Sequence, residues 1–239
     1  MRIVLISLPE SVDRRRAAEA QFRDADLAFE FYAGINGETA NQPLFAAIDN
    51  EAYLLNAGRL PSAGEIGCFA SHRAVWEYCI RINEPLIILE DDVRLLDNFP
   101  AAVTAVSEFI EGCGFIRLQS LRNEPRNLVA NSGSFKLYYC KKYPLGAAGY
   151  AISPAAARKL LASSTTLSAP ADKYIKSVWE HDQPLYCLLP ESIDLNEFSS
   201  GSTIAGRVRP KAGLMLRINR AIFKLSCAIR RARFNRHHA

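Results

Sequence analysis

Residues 86–96 read LIILEDDVRLL, and this stretch decides the fold class. Its first four residues, Leu86 to Leu89, are all aliphatic, and a strand without polar alternation is typical of a sheet covered on both faces. Such a sheet belongs to an α/β fold with helices on its two sides. Three consecutive acids, Glu90, Asp91 and Asp92, then end the strand, and their mutual repulsion costs free energy unless a positive charge compensates it.

Strand-like and helix-like segments alternate on both sides of this stretch. A first strand is predicted at residues 2–8, followed by a helix at 12–24 with Ser11 as its N-cap. Apolar residues at helical spacing predict a longer helix that starts at Ala63 or Glu65 and ends at Ile82. The other predictions are strands at 29–33, 115–119, 134–139, 148–152 and 185–189, helices at 99–110, 155–162 and 170–179, and a polar loop at 120–132. The alternation predicts an α/β domain over residues 1–205 with a mainly parallel central sheet.

Composition narrows the classes of protein to which the chain can belong. Its 239 residues are 49% hydrophobic, which is enough for a full core. No stretch reaches the roughly 18 to 20 continuous apolar residues that span a bilayer, and the first strand is too short for the apolar region of a signal peptide. The six cysteines are scattered without a CxxC pair. We therefore expect reduced thiols and a cytoplasmic location.

Residues 206–239 are predicted to form a separate basic tail. No acid follows Glu197, whereas ten of the 29 Lys and Arg residues do, so residues 1–198 carry a net charge of −6 and the remainder +10. Arg217, Arg220, Lys224 and Arg231 share one face of a predicted helix. The apolar residues of a neighbouring face are Leu214, Ile218, Ala221, Ile222, Leu225 and Ile229.

A basic amphipathic helix of this kind has two interpretations. In one, the helix lies on an anionic membrane surface. In the other, it packs on the body of the protein with its arginines in solvent. Nucleic-acid binding is not expected, because the tail has few aromatic side chains for stacking and the body is acidic.

The three acids also have two interpretations. Ligands of open α/β sheets bind beyond the carboxyl ends of the strands, and carboxylates crowded there suit a divalent cation such as Mg²⁺ or Mn²⁺. A cation held by one or two acids completes its shell with water and phosphate oxygens, which points to a nucleotide or nucleotide-sugar ligand. The alternative is a solvated acidic turn.

Segments on either side of the acids carry further candidate groups. Residues 64–76, GEIGCFASHRAVW, place Ser71, His72 and Arg73 near a helix start, where backbone N–H groups and an arginine can receive phosphate oxygens. The competing role for His72 is a buried structural histidine. Residues 146–153 (GAAGYAIS) and 169–172 (APAD) add small residues and a further acid, Asp172.

The ordered succession ISLPESVDRR, GEIGCFASHRAVW, LIILEDDVRL, GAAGYAISPAAARKLL and APADKYI resembles glycosyltransferase family 25 over about residues 1–205. Bacterial members of that family extend lipopolysaccharide or lipooligosaccharide. The resemblance implies a GT-A-like, Rossmann-type nucleotide-binding sandwich. It also implies inverting transfer of a hexose, most often galactose, from a UDP-sugar to a glycan or lipid-linked saccharide, aided by Mn²⁺ or Mg²⁺. An enzyme of this kind would work in the cytoplasm, at the inner face of the cytoplasmic membrane.

The resemblance also implies roles for single residues. The EDD segment corresponds to a DXD-like motif, with Asp92 as the direct metal ligand. Glu90 or Asp91 would contact the ribose or bind the metal through water. His181 would be a third metal ligand, against a surface role as the alternative. Residues just beyond the first strand would cradle the nucleobase and diphosphate, unless they form an exposed helix face: Asp13, Arg14 and Arg15.

Inversion by direct displacement needs a general base on the acceptor hydroxyl. The resemblance assigns that role to Asp172, with Glu180 and Asp182 as alternatives and helix capping as the competing role. The chain departs from the family pattern at Ser7, which replaces Asn, and around Asp172, where Ala171, Lys173 and Tyr174 replace more hydrophobic residues.

Two rival functions remain open in the sequence. One is a non-catalytic sugar- or nucleotide-binding protein that retains the fold, and the other is a metal-dependent phosphoesterase.

Overall fold

A computed structural model describes residues 1–41, 43–119, 124–199 and 213–238. The elements follow one another as β1 (Arg2–Ser7), α1 (Val12–Asp24), β2 (Glu30–Ala33), β3 (Ala47–Ile48), α2 (Asn50–Ala57), α3 (Ala63–Ile82), β4 (Leu86–Glu90), β5 (Val93–Leu95), α4 (Phe99–Cys113), β6 (Phe115–Arg117), β7 (Arg126–Ser132), β8 (Phe135–Cys140), β9 (Gly149–Ile152), α5 (Pro154–Ala162), β10 (Thr166–Leu167), α6 (Ala171–Ile175), α7 (Val178–His181), β11 (Tyr186–Leu189), β12 (Ile193–Leu195) and α8 (Leu214–His238).

The central sheet has eight strands in the order β2-β1-β4-β9-β6-β11-β8-β7. β1 runs parallel to both of its neighbours, and β6 runs parallel to β11. β9 and β8 are antiparallel to the strands on both of their sides. The other six strands of this sheet therefore point in one direction. The predicted α/β fold with a mainly parallel sheet is confirmed.

The aliphatic run in β4 explains why the sheet is covered on both faces. All four residues from Leu86 to Leu89 are fully buried. Leu86 and Ile88 belong to the core that contains Trp76 of α3, whereas Ile87 and Leu89 belong to the core that contains Phe99 of α4. Adjacent strand residues point to opposite faces, so both faces of β4 need apolar side chains.

The predicted polar loop at 120–132 is wrong over its second half. Residues Arg126–Ser132 form β7, which pairs with β8 at the edge of the sheet through a register shift between Leu128 and Ala130. An edge strand with one face in solvent needs few apolar residues, and its composition therefore resembles that of a loop. Residues 120–123 lie outside the described ranges.

Helix α3 begins with a capping box, which fixes one wall of the cleft beside the acids. The Ser62 side chain accepts from the Glu65 backbone N–H, and the Glu65 carboxylate accepts from the Ser62 backbone N–H. Gly67, on the next turn, lets the loop at residues 35–37 lie against the helix, because a Cβ there would clash with the carbonyl oxygen of Ile35.

Candidate active site

Two cavities meet at the carboxyl end of β4. The first cavity, of about 340 Å³, lies between the end of β1, the loop at residues 34–38, the start of α3 and the acids 90–92. The second cavity, of about 360 Å³, lies between Arg59, Glu65, the loop at 145–147 and the start of α6. Cys68 and Glu90 line both cavities. These two side chains therefore form a shared wall.

Asp91 is held by two donors from the N-terminal βα unit. Its Oδ2 accepts from the Ser7 hydroxyl at 2.8 Å, and its Oδ1 accepts from Arg14 Nη1 at 2.9 Å. The Arg14 and Asp91 side chains are both mostly buried, so this charge-assisted bond is well shielded from water. Both Asp91 oxygens thus have protein donors, which argues against the metal-ligand role that we predicted for Asp91. Its position favours orienting Arg14 toward the first cavity.

The hydrogen bonding of Asp92 differs from that of Asp91. Its Oδ1 is buried and has no hydrogen-bond partner in the part of the chain that the structure describes. Burial raises the pKa of Asp92 to about 6, and repulsion from the Glu90 and Asp91 carboxylates adds to the increase. A buried carboxylate oxygen without a donor is costly, and a divalent cation would relieve both the missing bond and the repulsion. The oxygen donors present here therefore fit Mg²⁺ or Mn²⁺.

A buried chain of hydrogen bonds orients Glu90. Trp76 Nε1–H donates to the Tyr150 hydroxyl at 2.9 Å, and that hydroxyl lies 2.9 Å from His72 Nδ1. An indole N–H can only donate, so the Tyr150 proton is available for His72 Nδ1. His72 Nε2–H can then donate to Glu90 Oε1 across 3.1 Å. We assign this tautomer from the network, and it holds Glu90 in the shared wall.

Ser71 and Arg73 flank His72 but have different surroundings. The Ser71 hydroxyl donates to Gly67 O at 2.8 Å and accepts from the Ile35 N–H at 2.8 Å, and it lines the first cavity. Arg73 instead donates to Leu44 O and to the Ser164 hydroxyl, both at 3.2 Å. Successive helical residues point about 100° apart, so α3 turns Arg73 away from the acids. The predicted phosphate contact by Arg73 is therefore not supported.

Asp172 lies in the second cavity, in the first turn of α6. Its Oδ2 accepts from the Gly146 N–H at 3.1 Å. The buried Arg117 fixes the same loop by donating to Gly146 O at 2.6 Å and to Leu145 O at 3.2 Å. The N-cap of α6 is Pro170, with no side-chain cap bond. Helix capping, the competing role for Asp172, is therefore not what its side chain does.

The other predicted residues on α1 lie outside both cavities. The Asp13 side chain is 85% exposed and pairs with Arg16, one turn later. Arg15 lies over the Phe31 ring, at 3.8 Å from the ring centre. Of the three residues predicted to cradle the nucleotide, Arg14 lines the first cavity. The exposed-face alternative describes Asp13, because the helical twist turns it to solvent.

His181 is a structural residue, and its predicted role as a metal ligand is wrong. Its Nε2 donates to Ile175 O at 2.9 Å, and its Nδ1 accepts from the Gln183 N–H at 3.2 Å. Both ring nitrogens are thus occupied in the interior, and burial lowers the pKa of His181 to about 4. The alternative bases Glu180 and Asp182 lie on the surface, where each pairs with a cation.

The buried neutral His181 predicts a loss of stability in acid. Its pKa falls from an ordinary 6.5 to about 4 on folding, so its contribution is present above pH 6.5 and is lost as pH falls through 4. Protonation should lower the free energy of unfolding by up to about 3 kcal/mol across this range. Urea unfolding of the wild type and of His181→Gln at several pH values measures the difference. The exposed His237→Gln is the control, and identical pH slopes for all three proteins would contradict the assignment.

Several lining residues were not predicted from the sequence. Arg59 and Glu65 form a buried, bidentate ion pair beside the second cavity. Lys173 also lines it and donates to Asn56 O at 2.7 Å, and burial lowers the pKa of its ammonium group. The S-x-x-E pattern that begins at Ser62 is a capping-box signature, and this signal in the sequence could have identified Glu65 as a residue at the start of α3. The pairing of Lys173 with the end of α2 had no sequence signal.

The sequence model for glycosyltransferase family 25 (LPS biosynthesis protein) matches residues 1–175. The chain belongs to glycosyltransferase family 25. The match contains β1, α3, the EDD segment and α6, which are the parts that supply the groups described above.

Relatives of this family 25 chain include proteins with and without stated activity. A glycosyltransferase 25 family member of Aedes aegypti is 25% identical over 87% of the chain and 34% of its own length. Human procollagen galactosyltransferase 2 is 27% identical over 83% and 33%. The inactive glycosyltransferase 25 family member 3 of Mus musculus is 26% identical over 85% and 36%. The chain spans about a third of the length of these relatives.

Solved structures that resemble the family 25 chain include a glycosyltransferase involved in the glycosylation of the major capsid of PBCV-1. The TM-score is 0.33 at 12% sequence identity, over 67% of this chain and 64% of that one.

Proposed function

We propose that the chain is a metal-dependent, inverting glycosyltransferase with a GT-A-like fold. It transfers a hexose from a UDP-sugar to a lipopolysaccharide-type glycan. One observation carries the proposal. Two cavities share Glu90 as a wall. Asp92, whose buried Oδ1 has no hydrogen-bond partner among the described residues, lines the first cavity, and Asp172 lines the second. A donor and an acceptor must meet across such a boundary for a direct displacement.

The first cavity suits the nucleotide-sugar donor. Arg14 and the Asp92 carboxylate lie on its rim together with backbone groups of the loop at 34–38. The Arg14 guanidinium, fixed by Asp91, provides planar N–H donors for phosphate oxygens. Asp92, with Glu90 beside it, would hold Mn²⁺ or Mg²⁺. When bound, this cation supplies Lewis-acid stabilisation of the charge on the departing diphosphate.

The second cavity suits the acceptor. The Gly146 N–H donates to one oxygen of Asp172 and so orients the carboxylate. A carboxylate held in this way can accept the proton of an acceptor hydroxyl. The ion pair of Arg59 with Glu65 and the ammonium group of Lys173 add polar groups for saccharide hydroxyls. Asp172 and the Asp92 site lie on different sides of the shared wall. Inversion needs this arrangement, because the base and the leaving group act on opposite faces of the sugar.

The relative named procollagen galactosyltransferase 2 supports galactose as the first sugar to test. Incubation with a panel of UDP-hexoses, Mn²⁺ and a glycan acceptor should release UDP, fastest from UDP-galactose, and EDTA should abolish the release. No release from any donor, with any acceptor extract, would overturn the proposal. Donor binding without release would assign a non-catalytic binding protein. Phosphate release without sugar transfer would indicate a phosphoesterase.

Removal of the Tyr150 hydroxyl tests the chain of hydrogen bonds that orients Glu90. Tyr150→Phe leaves Trp76 Nε1–H and His72 Nδ1 without their shared partner, so we expect transfer to fall about tenfold. Stability should fall by about 1–3 kcal/mol for the buried groups left unpaired. UDP release and urea unfolding measure both effects. Tyr186→Phe, on β11 away from the cavities, is the control. Wild-type activity of Tyr150→Phe would remove the positioning role.

A further inference from the structure

Helix α8 packs on the body through one face. Phe234 is buried, Arg220 Nε donates to Leu55 O at 3.3 Å, and Asn235 accepts from the Tyr139 hydroxyl at 2.8 Å. The packed-helix interpretation of the tail is therefore correct for this face, although Arg220 and Arg231 are half-buried rather than solvated.

The opposite face of α8 is apolar and exposed. We call it the α8 stripe, and it consists of Leu214, Ile218, Ile222, Leu225 and Ile229, which are 73%, 46%, 62%, 64% and 46% exposed. At 3.6 residues per turn, the stripe lies about half a turn around the helix from Arg220 and Phe234. A surface helix ordinarily turns its apolar stripe to the core. Here the larger aliphatic side chains face outward, which indicates an external apolar partner.

Charge identifies the kind of partner. The sequence of α8 contains no acidic residue. By helical position, Arg217 and Lys224 border the α8 stripe on one side. On the other side, Arg233 lies just beyond its C-terminal end, near Arg230, which is paired with Glu180. An apolar strip that is bordered by cations and has no acid beside it matches the acyl boundary of a bilayer with anionic head groups. No helix among the described residues is long and apolar enough to cross a membrane. A helix lying in the surface plane satisfies both observations.

We propose that α8 docks on an anionic lipid bilayer through the α8 stripe. The end of α2 connects this helix to the second cavity. Arg220 of α8 donates to Leu55 O, and the cavity residue Lys173 donates to the next carbonyl, Asn56 O. Ala57 and Arg59, directly after these carbonyls, line the second cavity. Docking therefore brings that cavity close to the lipid surface. The docking surface itself does not depend on the proposed transferase activity.

Co-sedimentation with vesicles tests the proposal on the full chain. The wild type should bind phosphatidylcholine vesicles that contain phosphatidylglycerol and should bind pure phosphatidylcholine more weakly. High salt should weaken the binding. The double variant Ile222→Gln, Leu225→Gln should lower the vesicle affinity about a hundredfold, since two large aliphatic side chains lose their burial. Both side chains face solvent, so the variant should keep the wild-type melting temperature.

Two results would overturn the proposal. One is no binding of the wild type to anionic vesicles, and the other is equal binding by the double variant. A wild-type dimer that the double variant dissolves, measured by light scattering in the absence of lipid, would assign the stripe to a second copy of the chain. UDP release toward a soluble acceptor is a separate readout, which the double variant should leave unchanged. Absence of UDP release from the wild type, with vesicle binding intact, would speak against the transferase proposal and not against docking.

Discussion

Replacement of Asp92 by asparagine is expected to lower metal-dependent UDP release about a thousandfold. The amide is a weak ligand for Mn²⁺ or Mg²⁺ and removes one negative charge from the cluster of acids. Calorimetry should show that UDP binding no longer increases when Mn²⁺ is added. Asp97→Asn, an exposed acid shortly after β5, is the matched control and should behave as the wild type.

The same variant should be more stable than the wild type in the absence of metal. The pKa of Asp92 is raised from 3.8 to about 6 by burial and by neighbouring carboxylates, so the ionised form at neutral pH destabilises the fold. Asparagine removes that charge, and we expect a gain of about 2 kcal/mol in urea unfolding. A variant that is inactive and less stable would point to misfolding instead, and an unchanged Mn²⁺-dependent affinity would show that Asp92 is not the ligand.

Replacement of Asp172 by asparagine is expected to reduce the rate of transfer to the acceptor about a thousandfold, while donor affinity stays unchanged. The amide oxygen can still accept from the Gly146 N–H, but the side chain can no longer take a proton. Single-turnover transfer and UDP-sugar binding, measured in parallel, separate the two effects. Asp182→Asn, at the surface acid that was an alternative base, is the control.

If Asp172→Asn retains transfer activity, Glu90 becomes the candidate for the general base. That carboxylate is the next candidate because it lines both cavities and is oriented by His72. Glu90→Gln would then be expected to abolish transfer. Loss of activity in Asp182→Asn instead would contradict both assignments.

The local sequence was sufficient to predict those elements that depend on one dominant local pattern. The aliphatic run of β4 and the apolar spacing of α3 each depend on a few neighbouring residues, and both elements lie close to their predicted bounds. The cluster of acids was identified because strand polarity places it at a known edge of the sheet. β7 was missed because its strand pairing depends on β8, whereas its own composition is polar.

Site residues were harder to predict because helical phase and long-range contacts decide where a side chain points. His72 and Arg73 are adjacent in sequence, yet one faces Glu90 and the other faces Ser164. His181 was a reasonable ligand by residue type, but its environment is set by the carbonyl of Ile175 and the N–H of Gln183. A single sequence could not reveal that one buried oxygen of Asp92 lacks a hydrogen-bond partner among the described residues, because burial is a property of the whole fold.

The end of helix α2 has a consequence for regulation. Its adjacent carbonyls, Leu55 O and Asn56 O, accept from Arg220 of α8 and from Lys173 of the second cavity. Two ligands that act on one short segment share a coupling free energy, and that coupling is reciprocal. Any factor by which a lipid surface changes acceptor affinity through this segment must equal the factor by which acceptor changes lipid affinity. If α8 docks on a lipid bilayer as we propose, a saturating acceptor would then shift the fraction of the protein that is bound to lipid.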